Sequence, residues 1–336
     1  MQKYFGLDIG SSSIKLLELN GNTVSVAAMV ANPTGRLGVD LVPAEYTALG
    51  EAIKTMVVDN KIKNKKIALA IPESLVFTRI LSFPYMSSPE LATAIRFEIE
   101  QVIPYPIDKL EISWEVLFKP SKPDGNEKMR VLVVAVPMKV SSGYVGLMDS
   151  LGIEIVRIEN ELLSLARSVF IGKDSTEVDL VVDIGFSTTK MVICDTNQIY
   201  VNYVSPIAGM AFTKIISDVF KLPPAQAEEY KRAYGLDQTQ FEGKLFLAVT
   251  PVLSTLVADM KKVIASYINS YPEKKIDRII LCGGGAFLKG LIQHLVEQTG
   301  LEVVTGNVFE KLKVDPKLAG LGGIYAVAGG LALNVE

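Results

Sequence analysis

The chain opens on a short apolar run, residues 3–9, that ends in "DIG". Two runs of alternating character follow, "IKLLELN" and "TVSVAAMV", with "NGN" between them. Alternation of period two predicts β-strands, and Asn-Gly between two such runs predicts a tight hairpin. An Ala/Leu/Ile-rich stretch at about 44–59 predicts a helix, and "IALAI" and "LVFTRILSF" (75–83) predict strands. The texture changes at 84. In "PYMSSPELATAIRFEIEQVIPYP", Leu91, Ile95, Ile99 and Val102 share one helical face. Ser88 is the expected cap, Pro89 and Glu90 suit the first turn, and Pro104 and Pro106 end the helix. "EISWEVLFK" and "MRVLVVAVP" predict strands around the polar loop "PSKPDGNEK", with a helix at about 139–151. Residues 84–152 therefore read as a small α/β unit inserted into the first half.

After a strand at "IEIVRI" and a helix at "ENELLSLARSVF", the opening pattern restarts. "VDLVVDI", a glycine turn, "MVICD" and "IYVNYVS" give three strands again, and helices dominate 209–271. A buried strand, "RIILC", runs into "GGGAF", and helices at about 287–299 and 322–334 flank the strand "LEVV". Each half thus begins with three strands joined by tight turns, followed by helices, which is an internal duplication of architecture.

Composition narrows the function classes. A chain of 336 residues is long enough for roughly two domains of about 150 residues each. With a net charge of −3 it lacks the basic excess of a nucleic-acid binder. Mean hydropathy is +0.31, yet no uninterrupted apolar run approaches the ~20 residues of a membrane span, and the N-terminus does not read as a signal peptide. Two cysteines, Cys194 and Cys282, form no disulfide framework or C-x-x-C zinc site, so a reducing cytoplasm is expected. The single His294 falls on a predicted helix surface. Chemistry is left to carboxylates, backbone amides and a bound cation.

The strongest internal signal is "DIGSSSIK" (Asp8–Lys15), which nearly recurs as "DIGFSTTK" (Asp183–Lys190). Gly10 and Gly185 permit turn torsions, and successive amides with Ser and Thr hydroxyls make a nest for anions. Asp8 and Asp183, ending their strands, suit Mg²⁺ held through water beside phosphates. Lys15 can reach a phosphate, whereas Lys190 reads equally as a solvated charge. Two ordinary hairpins with polar turns would give the same string. A second signal is "LCGGGAFLKGL" (281–291), three glycines between a buried strand and a helix. It allows a backbone to approach a flat ligand, or simply makes a tight connection. Glu159, at a strand-to-helix junction, could orient water or could be a helix N-terminal acid. Glu228 and Lys231 in "AQAEEYKRAYG" could hold a purine or ribose, or lie on a solvated face.

Together "GLDIGSSSIK", "VVDIGFSTTK" and "IILCGGGAFLKGL" resemble the first phosphate, second phosphate and adenosine loops of the actin-like ATPase superfamily, and "GIYAVAGGLAL" looks like its last connecting helix. "LSFPYMSSPELATAIRFEIEQVIPYPIDKLEISWEVL" is similar to the inserted subdomain of the FtsA-like PilM family of type IV pilus assembly. The resemblance implies an α/β fold of duplicated ribonuclease H-like domains with an FtsA-type insert. Residues 1–83 would form the first lobe, completed by 153–178 and the helix 322–336. Residues 84–152 would be the insert, and 179–321 the second lobe, with a mostly helical part at about 209–275. It implies ATP and Mg²⁺ as cofactors, Asp8 and Asp183 flanking the metal, and Glu159 positioning water. Gly10, Ser11, Ser12, Ser13, Lys15, Gly185, Ser187, Thr188 and Thr189 match the phosphate loops. Gly283, Gly284, Gly285, Ala286 and Leu288 match the adenosine loop. Phe186 replaces a glycine common at that place, so any hydrolysis is expected to be slow. FtsA carries an amphipathic membrane helix beyond this core. Here the chain stops at "LALNVE", so attachment is expected through a partner and not by insertion: the cytoplasmic N-terminal tail of a PilN-like inner-membrane protein, gripped near 84–152. The competing expectations are a sugar-type kinase of the same superfamily and a self-polymerising filament protein.

Overall fold

A computed structural model describes residues 4–37, 41–121, 127–170 and 176–333. The first half builds β1 (Phe5–Ile9), β2 (Ser13–Asn20), β3 (Thr23–Ala31), α1 (Pro43–Asp59) and β4 (Lys66–Ile71). An excursion follows through β5 (Phe77–Phe83), α2 (Ser88–Val102), β6 (Leu110–Phe118) and β7 (Met129–Pro137). The chain returns as α3 (Met138–Ser150), β8 (Glu154–Asn160) and α4 (Glu161–Val169). The second half builds β9 (Asp179–Ile184), β10 (Thr189–Cys194), β11 (Ile199–Ser205), α5 (Gly209–Phe220), α6 (Pro224–Tyr234) and α7 (Lys244–Ser270). It finishes with β12 (Arg278–Cys282), α8 (Leu291–Thr299), β13 (Glu302–Thr305) and α9 (Ala326–Ala332).

The duplication is visible in the sheets. One runs β3-β2-β1-β4-β8 and the other β11-β10-β9-β12-β13. In each, the first three strands form an antiparallel meander, and the remaining two add in parallel to the far side of the first. β1 and β9 are central strands covered on both faces, which is why "FGLDI" and "DLVVDI" read as continuous buried runs. The registers repeat as well: Asp8 faces Lys15 across β1–β2, and Asp183 faces Lys190 across β9–β10.

Two helices join the halves. α4 follows β8 in the chain, but its Leu162, Leu165 and Val169 pack with Val181, Val192 and Ile280 of the second sheet. α9 is buried at all seven positions and lies on the first sheet. α9 packs so closely that a Cβ on Gly330 would collide with the Ser164 carbonyl of α4, and a Cβ on Gly6 of β1 with the Ala328 carbonyl of α9. Arg167 fastens the junction by donating to Glu159 Oε1 (2.8 Å), Glu159 Oε2 (2.7 Å) and Gly330 O (2.6 Å).

The insert differs from its expected limits at both ends. Its three-stranded sheet, β5-β7-β6, starts at Phe77, because β5 pairs with β7 and not with the first lobe. α3 belongs to the first-lobe core: Val140, Tyr144, Leu147 and Met148 pack with Leu49, Ile53 and Met56. Within the insert, α2 lays Leu91, Ile95 and Ile99 on Val131, Val133 and Ala135. The α2 cap is Ser87, not Ser88, and Glu90 accepts from its amide (2.8 Å) and hydroxyl (2.7 Å). The insert is also tied to the second lobe. The Arg130 guanidinium of β7 lies over the rings of Phe118, Tyr200 and Tyr271 and donates to Tyr271 Oη and Gln198 Oε1.

One described segment, Gln240–Ser270, is long and apolar enough to cross a membrane by length and composition, although Thr250, Ser254, Thr255 and Asp259 interrupt its apolar run. Leu245, Val249, Leu253, Leu256, Met260 and Val263, at helical spacing within it, belong to the second-lobe core.

Candidate functional site

The two homologous turns face each other across one cavity of about 680 Å³. Each turn closes the same way: Gly10 N–H donates to Ser13 O (3.0 Å), and Gly185 N–H to Thr188 O (3.1 Å). The tips meet, with Ser11 Oγ and Ser187 Oγ 2.7 Å apart. Asn32 braces the first turn by donating from Nδ2 to Gly10 O (2.9 Å) and from its amide to Ser12 O (3.0 Å). The start of α5 braces the second, through Gly209 N–H to Gly185 O (3.0 Å) and Met210 N–H to Phe186 O (2.8 Å).

Charges of both signs line the cavity. Lys15 holds Asp8 at 3.0 Å. Lys190 is buried, held by Asp183 at 2.7 Å and Glu161 at 2.9 Å. Burial pulls its ammonium down, but Asp183, Glu161 and Asp8 outweigh burial and keep it charged, well above the usual lysine value. Burial pushes the Glu161 carboxyl up, and Lys190 partly offsets that. Toward the second lobe, Lys231 donates to Gly209 O (3.0 Å) and Thr213 Oγ1 (2.9 Å) and pairs with Glu228 at 2.6 Å.

The glycine loop forms the remaining wall. Gly283 has φ +79°, and a Cβ there would strike Asp183 Oδ1; a Cβ on Gly285 would strike Ile184. Both are needed for the loop to lie flat on β9. Gly284 has nothing within 4 Å of a Cβ position and lines the open cavity. This is a cradle for a flat ring, made by backbone where side chains would fill the space.

The expected site residues divide clearly. Asp8, Gly10, Ser11, Ser12, Ser13, Lys15, Asp183, Gly185, Ser187, Thr188, Glu228, Lys231, Gly283, Gly284, Gly285 and Leu288 all line the cavity. Thr189 does not: strand alternation turns it away from Thr188 and Lys190, and its hydroxyl donates to Ile207 O (2.7 Å). Ala286 is buried behind the loop. Glu159 is a correction. Its side chain is clamped between Arg167 and Arg157 on the other face of β8, outside the cavity. The acid that reaches the cavity is Glu161, at the first position of α4. The sequence carried that signal, an acid at a helix start two residues on, but burial decides between them.

Behind Glu161 runs a buried polar chain. Glu73 N–H donates to Glu161 Oε2 (2.7 Å), and Asn160 Nδ2 donates to Glu73 Oε2 (2.6 Å) and Thr78 Oγ1 (2.8 Å). Burial pushes the Glu73 carboxyl up to about 7 from an ordinary 4.5. The folded chain therefore holds a proton that the unfolded chain has already lost. Stability from this group is full below pH 4.5 and is lost as pH rises to about 7, by up to ~3 kcal/mol. Glu73→Gln is expected to flatten this slope and to be the more stable form at pH 8, read from urea midpoints between pH 5 and 8.

A smaller groove of about 310 Å³ opens between β6 and β8, each the edge strand of its sheet. Ile71, Val76, Ile112, Trp114, Ile158 and Leu163 give it apolar walls. Its lining includes Glu111, Glu115 and Glu159, and no Lys or Arg among the described residues.

As for a cation, Asp8 and Asp183 each already hold a lysine, and the described residues contain no group of three His, Cys, Asp or Glu spaced to bind a metal. The donor set fits Mg²⁺ only as an ion carried by phosphate and water.

Two like lobes, paired polar turns and a glycine cradle around one cleft define the actin-like ATPase fold. Solved structures agree at the level of fold. The chain resembles the ethanolamine utilization protein EutJ from Carboxydothermus hydrogenoformans (TM-score 0.58, 16% identity, covering 98% of this chain and 89% of that one). It also resembles MreB5 of Spiroplasma citri bound to AMPPNP (TM-score 0.55, 14% identity, covering 97% and 94%). A much stronger likeness is to the PilM–PilN type IV pilus biogenesis complex, with TM-score 0.87 and 28% identity over 98% of this chain and 97% of that one. Residues 6–336 match the family of type IV pilus assembly protein PilM, and the chain belongs to that family.

Proposed function

We propose that this chain is an ATP-binding scaffold of type IV pilus assembly that grips the cytoplasmic N-terminal tail of a PilN-like inner-membrane protein. The observation that carries the nucleotide part is the cleft itself, where two phosphate-type turns meet at Ser11 and Ser187 beside the glycine cradle. Phosphates fit the amides and hydroxyls of residues 10–13 and 185–188 together with Lys15. The purine fits against Gly283, Gly284, Gly285 and Leu288, with Glu228 and Lys231 beside the ribose. Mg²⁺ accompanies the phosphates through water. Phe186 lines the same cavity, which favours holding the nucleotide over rapid turnover.

The partner part is supported by the name of the similar complex and by the groove between β6 and β8. Two open strand edges offer main-chain hydrogen bonds to an extended peptide, and apolar walls offer pockets for alternate side chains. The acidic lining favours a tail with basic residues. The chain would then be cytoplasmic and tied to the inner membrane through that tail. Calorimetric titration with ATP, and separately with a synthetic peptide copying the PilN tail from the same genome, tests both parts. Both ligands are expected to bind, and Glu115→Lys is expected to weaken the peptide at least tenfold and leave ATP unchanged. Absence of ATP binding overturns the nucleotide part, and absence of peptide binding the partner part.

A further inference from the structure

Lys15 and Lys190 occupy matching places in the two halves, each the cross-strand partner of the aspartate next to the end of the preceding strand. Their surroundings differ. Lys15 is held by Asp8 alone, at 3.0 Å. Lys190 lies between two carboxylates, Asp183 at 2.7 Å and Glu161 at 2.9 Å, and feels the charge of Asp8 as well. Two acids, from β9 and the start of α4, thus hold one ammonium at the floor of the cleft, and the field of Asp8 on β1 adds to theirs. A cation held between two carboxylates beside a phosphate nest is a setting in which a divalent ion is ordinarily found. Here the place is taken by a side chain. An ammonium has three N–H donors, and the two carboxylates take two, leaving one toward the cavity that Lys190 lines.

The charge balance agrees. The cavity is lined by Asp8, Glu161, Asp183 and Glu228 against Lys15, Lys190, Lys231 and Arg232, so it is neutral with Lys190 and acidic without it. An acidic floor would repel a polyphosphate unless a metal ion came with it.

We infer that Lys190 is a built-in counter-ion that takes the place of a protein-held divalent cation at the floor of the cleft, so that nucleotide binding depends little on the Mg²⁺ the phosphates carry with them. The inference rests on the ATP-binding reading above. It is tested by calorimetric titration of ATP into the full chain, once in excess EDTA and once in Mg²⁺. The expected wild-type affinities differ by less than threefold. Lys190→Gln removes the ammonium and leaves Asp183 and Glu161 facing the phosphates without it. It is expected to lose at least tenfold in EDTA and to recover most of that loss in Mg²⁺. A wild-type chain that binds ATP at least tenfold more tightly with Mg²⁺ than in EDTA overturns the inference, however the variant folds. So does a Lys190→Gln chain that keeps the wild-type ratio. Absence of ATP binding in both buffers overturns the ATP reading itself, and the inference with it.

Discussion

Gly330→Val is expected to yield no soluble folded protein, or a chain destabilised by more than ~4 kcal/mol. The reason is backbone against backbone. At Gly330 the α9 backbone lies against Ser164 of α4, and the nearest atoms to an added Cβ are the Ser164 carbonyl, its carbon and its Cα. No side chain is available to rotate away. Neither helix can retreat, because α9 is buried at every position and α4 carries Leu162 and Leu165 into the core of the other half. Gly284→Ala is the matching control. It has open space around it and ordinary torsions, so its urea midpoint is expected to be unchanged while ATP affinity falls, since the added methyl projects into the cradle. Expression, circular dichroism and urea titration of the two variants check the pair.

Asp183→Ala and Asp8→Ala are expected to differ, although the repeated octamer makes their positions look equivalent. Asp183 holds a buried lysine, and removing it leaves Lys190 with Glu161 as its one close partner. Breaking a buried pair from one side costs about 3 kcal/mol, and the displaced ammonium should also lower ATP affinity tenfold or more. Asp8 holds the less enclosed Lys15, which can turn to water or to a phosphate. Asp8→Ala is therefore expected to cost little stability. Equal urea midpoints for the two variants would contradict the burial argument.

The two octamers were legible because a strand ending in Asp-Ile-Gly before Ser and Thr describes a local turn, and local turns are written in adjacent residues. The glycine cradle was legible for the same reason. Lys190 reads in sequence equally as a surface charge because its burial depends on α4, which comes from the other half of the chain. Sequence points to Glu159 because a strand-to-helix junction is placed only to within about two residues, and two residues reverse which acid faces the cleft. The limits of the insert shifted because β5 reads as a strand wherever it pairs; only the partner strand β7 shows which sheet it joins. Thr189 resembled its neighbours in composition, and period-two alternation alone separated it from Thr188 and Lys190.

The Arg130 contact carries a consequence for the peptide groove. The insert is continuous in chain with the first lobe, yet Arg130 docks it on the tyrosines of the second. One wall of the groove, β6, thus travels with a sheet anchored on the second lobe, while the other wall, β8, is an edge of the first-lobe sheet. If the lobes move as the proposed function implies, the width of the groove would follow the angle between them, and a peptide lying in it would gauge how far the cleft is open without touching whatever the cleft contains.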